Sequence, residues 1–224
     1  MTSEYSITRE FVASGELESH LAEYERQGLL TRSTQDERAQ SRAEAIAQFP
    51  DGGDIWLFAY GSLIWNPTIK IKETRLGHLR GYHRRFCMKT VLGRGTPEKP
   101  GLMLALDHGG SCHGIAYRID RAIAEEELKL IWDREMISNA YVARVLPMKS
   151  ADGPIQAITF TINRRAEQYV GKLDHDHVAN LIAQSQGPLG GCAEYLFQTL
   201  TKMTELDIRD SHLQHLAELV RKRI

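Results

Sequence analysis

The sequence predicts an α+β fold. We expect a mostly antiparallel, barrel-like sheet around a central helix, with a helical extension before it and further helices after it. Three observations predict this. Short β-like runs separated by glycine fill the middle of the chain, one helical segment interrupts them, and helical periodicity holds at both ends. Of the 224 residues 42% are hydrophobic and 25% charged, enough apolar material for a real core in one domain with an appendage.

Taken in order, residues 1–53 are rich in Glu, Arg, Gln and Ala, with Phe11, Leu17, Leu21 and Tyr24 at helical spacing. This predicts helices over 8–28 and 35–48, stopped by Pro50-Asp51-Gly52-Gly53. Thr34 and Glu37 have the spacing of a capping box for the second helix. The expectation is an extension, 1–53, packed on a catalytic domain, 54–224, rather than a catalytic unit itself. Strands are predicted at 55–60, 74–79, 84–91, 102–107, 113–119, 142–147 and 155–162. A helix over 122–137 interrupts them, and helices near 176–186, 192–203 and 210–223 close the chain.

The bulk numbers exclude several classes. Lys and Arg total 28 against 29 Asp and Glu, a net charge of -1, so neither nucleic acid nor a membrane surface is an expected partner. No stretch approaches the roughly 18 apolar residues that span a bilayer, and Met1-Thr2-Ser3-Glu4-Tyr5, without a basic flank and apolar core, gives no expectation of a secretory signal. Cys87, Cys112 and Cys192 are odd in number, far apart and form no CxxC pair. A reducing cytoplasm fits them best.

Two strings carry the chemistry. Ile55-Trp56-Leu57-Phe58-Ala59 reads as a buried strand running into Tyr60-Gly61-Ser62-Leu63-Ile64-Trp65. Gly61 would let the backbone bend and a ligand approach, and successive N–H groups could hold a carboxylate or a developing oxyanion. A plain β-turn is the competing reading. In the second string, Leu128, Ile131 and Trp132 lie seven, four and three residues before Glu135, so they share its helical face. The run Glu125, Glu126 and Glu127 near the helix start reads instead as a solvated face favoured by the helix dipole. A carboxylate buried on an apolar face has a raised pKa, which suits a general base. The alternative is a structural ion pair with a buried Arg, such as Arg84, Arg85 or Arg144.

Other segments are less decisive. The Gly/Pro loop over 93–101 could be a lid carrying Arg94 or Lys99, or a hairpin connection. Gly187-Pro188-Leu189-Gly190-Gly191 leads into a helix bearing Glu194 and Tyr195, and could attract a carboxylate or simply join two helices. Asp174-His175-Asp176-His177 reads as a helix start rather than a metal site, and Cys87 as core rather than nucleophile.

With these residues assembled, the chain resembles the γ-glutamylcyclotransferase superfamily, in particular its ChaC-type, glutathione-specific branch in bacterial form. The carriers, in order, begin with Phe58-Ala59-Tyr60-Gly61-Ser62-Leu63-Ile64-Trp65-Asn66-Pro67, Arg84-Arg85-Phe86-Cys87 and Gly93-Arg94-Gly95-Thr96. They continue with Lys99-Pro100-Gly101, Gly114-Ile115-Ala116-Tyr117-Arg118, Trp132-Asp133-Arg134-Glu135-Met136, and Gly187-Pro188-Leu189-Gly190 with Glu194-Tyr195-Leu196-Phe197. The ordered set, more than Tyr-Gly-Ser-Leu alone, carries the likeness, from about Ile55 to the C-terminus.

The resemblance implies a γ-glutamylcyclotransferase-like fold and release of 5-oxoproline from glutathione, leaving Cys-Gly. The family's catalytic glutamate falls on Glu135. Its substrate-binding positions fall on Leu57, Phe58, Ala59, Tyr60, Gly61, Ser62 and Leu63 and on Tyr195, with Arg94 and Tyr141 as further candidates. Ala59 departs from the glycine usual in this branch, and Ala140 from the glycine often found before the tyrosine. The implied chemistry needs no metal and no cofactor, and the expected state is a monomer or weak homodimer. Two other readings stay open: a cyclotransferase for other γ-glutamyl amino acids or amines, and a non-catalytic γ-glutamyl-binding regulator.

Overall fold

The computed structural model describes residues 7–224. Three helices open the chain: α1 (Arg9–Ala13), α2 (Glu16–Arg26) and α3 (Gln35–Ile46). The single helix expected over 8–28 is broken, because Gly15 adopts φ 83°, a left-handed conformation that ends one helix and caps the next. The capping box is formed: Thr34 accepts from the Glu37 N–H, and the Glu37 carboxylate accepts from the Thr34 N–H.

The sheet is a closed barrel built from β1 (Ile55–Ala59), β2 (Glu73–Thr90), β3 (Gly101–Ile119), β4 (Tyr141–Ser150) and β5 (Gly153–Ile162), in the order β1-β3-β2-β4-β5. Neighbours in that order are antiparallel. Parallel bridges from β5 to β1 at Leu57–Ile158 and to β3 at Leu106–Thr161 close it. Four of the expected strands merge into two. Segments 74–79 and 84–91 are one strand that absorbs Gly81 in a bulge between Arg80 and Tyr82, and 102–107 and 113–119 are likewise continuous. Ladder pairing on both sides outweighs the local preference of glycine for a turn.

Period-2 alternation divides β1 between two cores. Phe58 joins Leu79, Leu106, Cys112, Ala116, Met148 and Ala157, a cluster drawn from all five strands that fills the barrel. Ile55, Leu57 and Ala59 face the larger core with α4 (Ala124–Glu135), whose Trp132 packs edge-on against Phe160 at 5.2 Å between centroids. The C-terminal helices α5 (His175–Gln184), α6 (Cys192–Glu205) and α7 (Ser211–Arg221) cover the same side. A minimal hairpin, β6 (Gln186–Gly187) and β7 (Gly190–Gly191), joins α5 to α6.

A third apolar cluster ties the extension down. Phe11, Val12, Leu17, Leu21 and Leu30 pack with Leu130 of α4, flanked by Leu92 and Ile137. The extension also corrects one expectation. Glu127 does not belong to a solvated acidic face: its side chain is fully buried, gripped by both Arg9 guanidinium nitrogens at 2.5 and 2.8 Å and by the Lys70 N–H at 2.9 Å. Burial works to raise the Glu127 pKa, but these bonds outweigh it and hold the carboxyl below its ordinary value.

Candidate active site

A cavity of about 560 Å³ lies where the end of β1, the end of α4, α6 and the loop after β2 meet the N-terminal helices. Tyr60, Gly61, Ser62, Leu63, Arg94, Glu135, Tyr141 and Tyr195 all line it. Eight of the eleven residues expected from the sequence are thereby brought to one wall. Leu57, Phe58 and Ala59 are not among the lining residues. They are fully buried strand residues that position the loop from behind.

The loop is held from three directions. After β1 the chain enters a single turn over Ser62–Ile64, closed by Ile64 N–H to Gly61 C=O at 2.9 Å and Asn66 N–H to Ser62 C=O at 2.8 Å. Tyr117 of β3 donates its hydroxyl to Leu63 C=O and Ile64 C=O at 3.1 and 3.2 Å. From α6, the Tyr195 hydroxyl packs against Gly61. Gly61 is required by that approach, since a methyl group at position 61 would sit 2.9 Å from the Tyr195 oxygen.

Glu135 closes α4 on the face the spacing indicated: Leu128, Ile131 and Trp132 are fully buried, and the Glu135 side chain is 14% exposed. None of Arg84, Arg85 or Arg144 pairs with it. Arg84 reaches Asp210 and His113 C=O, Arg85 reaches Asp107, and Arg144 reaches Thr161. The charge partner is Arg134, with Nε 3.1 Å from Glu135 Oε1. Arg134 also donates to Asn66 C=O at 2.6 Å and Ser62 Oγ at 2.9 Å, so one guanidinium joins the glutamate to the glycine loop. The sequence signal for Arg134 was present: it lies three and four residues after Ile131 and Leu130 on the helix.

Burial pushes the Glu135 pKa up further than the opposing Arg134 charge lowers it, so the carboxyl stays above its ordinary value. Burial lowers the Arg134 pKa, with Glu135 the chief opposing influence. Tyr60, Tyr141 and Tyr195 surround the carboxylate. Each is raised by burial and further by the Glu135 charge, so all three hydroxyls keep their protons. Tyr141 donates its hydroxyl to Leu104 C=O at 2.8 Å.

The two Gly/Pro loops form one unit, which the sequence did not disclose. Arg94 is 9% exposed and donates to Gly191 C=O at 2.9 Å, with Glu194 Oε2 at 3.5 Å and the Tyr195 ring 5.5 Å away. Leu189 N–H donates to Gly93 C=O at 2.7 Å. Glycines are needed here for packing, because a methyl at Gly187 would meet Gly93 C=O at 2.3 Å. Asp174 caps α5 by accepting from the His177 N–H at 2.8 Å, and among the described residues no three His, Cys, Asp or Glu side chains form a metal-capable group. Burial raises the Cys87 thiol to about 12, the state of a core thiol rather than a nucleophile.

The structure so far is a closed barrel with a cavity that sets a desolvated carboxylate and its arginine beside a glycine turn. The barrel matches the crystal structure of a γ-glutamylcyclotransferase specific to glutathione from yeast, with TM-score 0.70, 22% identity, and coverage of 76% of this chain and 96% of that one. The family model for ChaC-like proteins matches residues 55–223. The Escherichia coli (strain K12) glutathione-specific γ-glutamylcyclotransferase is 39% identical over 96% of this chain and 93% of its own. The human glutathione-specific γ-glutamylcyclotransferase 1 is 31% identical over 78% of this chain and 82% of its own. The chain belongs to the ChaC-like family.

Proposed function

We propose that the chain is a glutathione-specific γ-glutamylcyclotransferase with Glu135 as its general base and acid. The observation that carries this is the pairing of a desolvated carboxyl with the glycine loop through Arg134. The substrate's α-ammonium must lose a proton before its nitrogen can attack. Glu135 takes that proton. The freed amine attacks the γ-carbonyl carbon of the same glutamyl unit and the carbon–nitrogen bond to cysteine breaks; Glu135 returns its proton to the departing nitrogen, which also receives the second proton shed by the ring nitrogen, so Cys-Gly leaves as its ammonium. The products are 5-oxoproline and Cys-Gly. Because nucleophile and electrophile share one molecule, holding the substrate folded provides much of the rate.

Binding roles follow from position. Backbone N–H groups of Gly61, Ser62 and Leu63 would hold the α-carboxylate or the oxyanion, with Arg134 supplying positive charge behind them. Tyr60, Tyr141 and Tyr195 would orient the glutamyl unit beside Glu135, and Arg94 would fix the loop that leads into α6 and Tyr195. Leu57, Phe58 and Ala59 would act by placing the loop.

We further propose the division into an extension over 1–53 and a catalytic domain over 54–224. The working state would be a monomer or weak homodimer in a reducing cytoplasm, without nucleic-acid partners. Three free, buried cysteines support that compartment, and no described helix is long and apolar enough to cross a membrane. The test is Glu135→Gln in the full chain. It is expected to lose 5-oxoproline release while keeping the wild-type circular dichroism spectrum, and near-normal turnover would refute the role.

A further inference from the structure

The family match begins at residue 55, yet the cavity does not end there. Leu17, Leu21, Tyr24, Leu29 and Leu30 line it from the N-terminal side. That wall is anchored. Beyond the apolar cluster with Leu130, Asn66 Nδ2 donates to Ile7 C=O at 2.7 Å, and Arg9 is bound to Glu127. Tyr24 and Leu29 are half-buried, so they are the members of the wall with surface left to meet a ligand.

A second observation points to a ligand in the same space. Gln168 and Gln198 both line the cavity, and each has its side-chain carbonyl oxygen buried without a hydrogen-bond partner among the described residues. A buried acceptor left unpaired is costly, and N–H groups of a ligand are its natural partners. The γ-glutamyl unit is committed to Glu135, Ser62 and Tyr195. The rest of a γ-glutamyl peptide therefore needs a place with apolar walls and acceptors for amide N–H groups.

We propose that Tyr24, Leu29, Gln168 and Gln198 form the subsite for the leaving part of the substrate. The N-terminal helices limit its size, so a second copy of the peptide or a bulky thioether on the sulfur is rejected. Gln198, one turn beyond Tyr195 on α6, accepts from the peptide N–H of the leaving dipeptide. The extension thus sets specificity without touching the reacting atoms.

This rests on the cyclotransferase reading, and the test separates the two. Release of 5-oxoproline from glutathione and from S-hexylglutathione is measured in wild type, in Tyr24→Ala/Leu29→Ala and in Leu29→Phe, always as the full chain. The ratio of the two kcat/KM values in one preparation is independent of the folded fraction. The account predicts that the ratio of S-hexylglutathione to glutathione rises by about tenfold or more in the double variant and falls in Leu29→Phe. Gln198→Leu is expected to raise KM for glutathione several-fold more than KM for γ-glutamylmethylamide, which has no N–H beyond the scissile amide. Ratios within about twofold of wild type in both N-terminal variants would overturn the subsite. Absence of 5-oxoproline from every substrate in wild type would instead refute the cyclotransferase reading, and the subsite with it.

Discussion

Glu135 shows how much one side chain's surroundings can decide. Its helix faces the core through Leu128, Ile131 and Trp132, and among the described residues the cation set against its burial is Arg134. Replacing Glu135 with Gln is expected to reduce kcat/KM by about 10²–10⁴-fold. The pH profile carries the same information. A base whose carboxyl is raised above 4.5 places the acid limb of kcat/KM above the ordinary carboxylate range, and the limb is expected to vanish in any residual activity of the Gln variant. Arg134 lowers that pKa, so Arg134→Gln is expected to move the limb to higher pH as well as reduce kcat, which a purely structural role would not do. The linkage sign runs the other way from most carboxylates. The fold holds the Glu135 proton more tightly than the unfolded chain, so this group's contribution is present below 4.5 and lost as pH rises through the folded value. Thermal melts of Glu135→Gln and wild type should therefore diverge in favour of Gln as pH increases.

Among the elements, the glycine loop depends on β1, β3, α4 and α6 together, since Tyr117 and Arg134 bond to it and Tyr195 packs against Gly61. Gly61→Ala would drive a methyl against the Tyr195 hydroxyl, 2.9 Å away. We expect it to cut kcat/KM by about tenfold or more, by moving the loop that positions substrate. Tm is the control and should change little. Much of this element-level structure was legible in the sequence. The β1 run, the α4 face, the capping box and the three C-terminal helices were all read correctly from periodicity and cap residues. What was not legible depended on distant partners. Gly15 splits a helix whose apolar spacing is continuous, and cross-strand pairing carries β2 and β3 through glycines that locally suggest turns. Glu127 sits in an acidic run that reads as surface until Arg9, 118 positions earlier, covers it. Arg134 passed the same helical-face test as Glu135, but a single side chain bridging three groups follows only from the folded loop.

For the whole molecule, buried carboxylates tie the extension and barrel to pH. Asp107 is fully buried. Burial works to raise its pKa, but Arg164, the His108 N–H, Tyr169 and Arg85 outweigh it, and the net direction is down, as for Glu127. Groups held low in the fold stabilise above their unfolded values, near 3.8 and 4.5, and lose that contribution as pH falls through the folded ones. Acid unfolding is therefore expected to begin with these pairs. Arg9→Ala removes the main partner of a buried carboxylate and is expected to cost about 3–5 kcal/mol at neutral pH. Its deficit in thermal melts should shrink on acidification, as Glu127 becomes neutral. The same bolt holds the helices that wall the cavity, so stability and substrate selection meet in the extension. The central claim is the cyclisation itself. The most direct measurement is mass-spectrometric detection of 5-oxoproline and Cys-Gly after purified protein meets reduced glutathione, with γ-glutamyl-alanine in parallel. The account predicts both products in equal amounts from glutathione and little 5-oxoproline from γ-glutamyl-alanine. No 5-oxoproline from glutathione would contradict it.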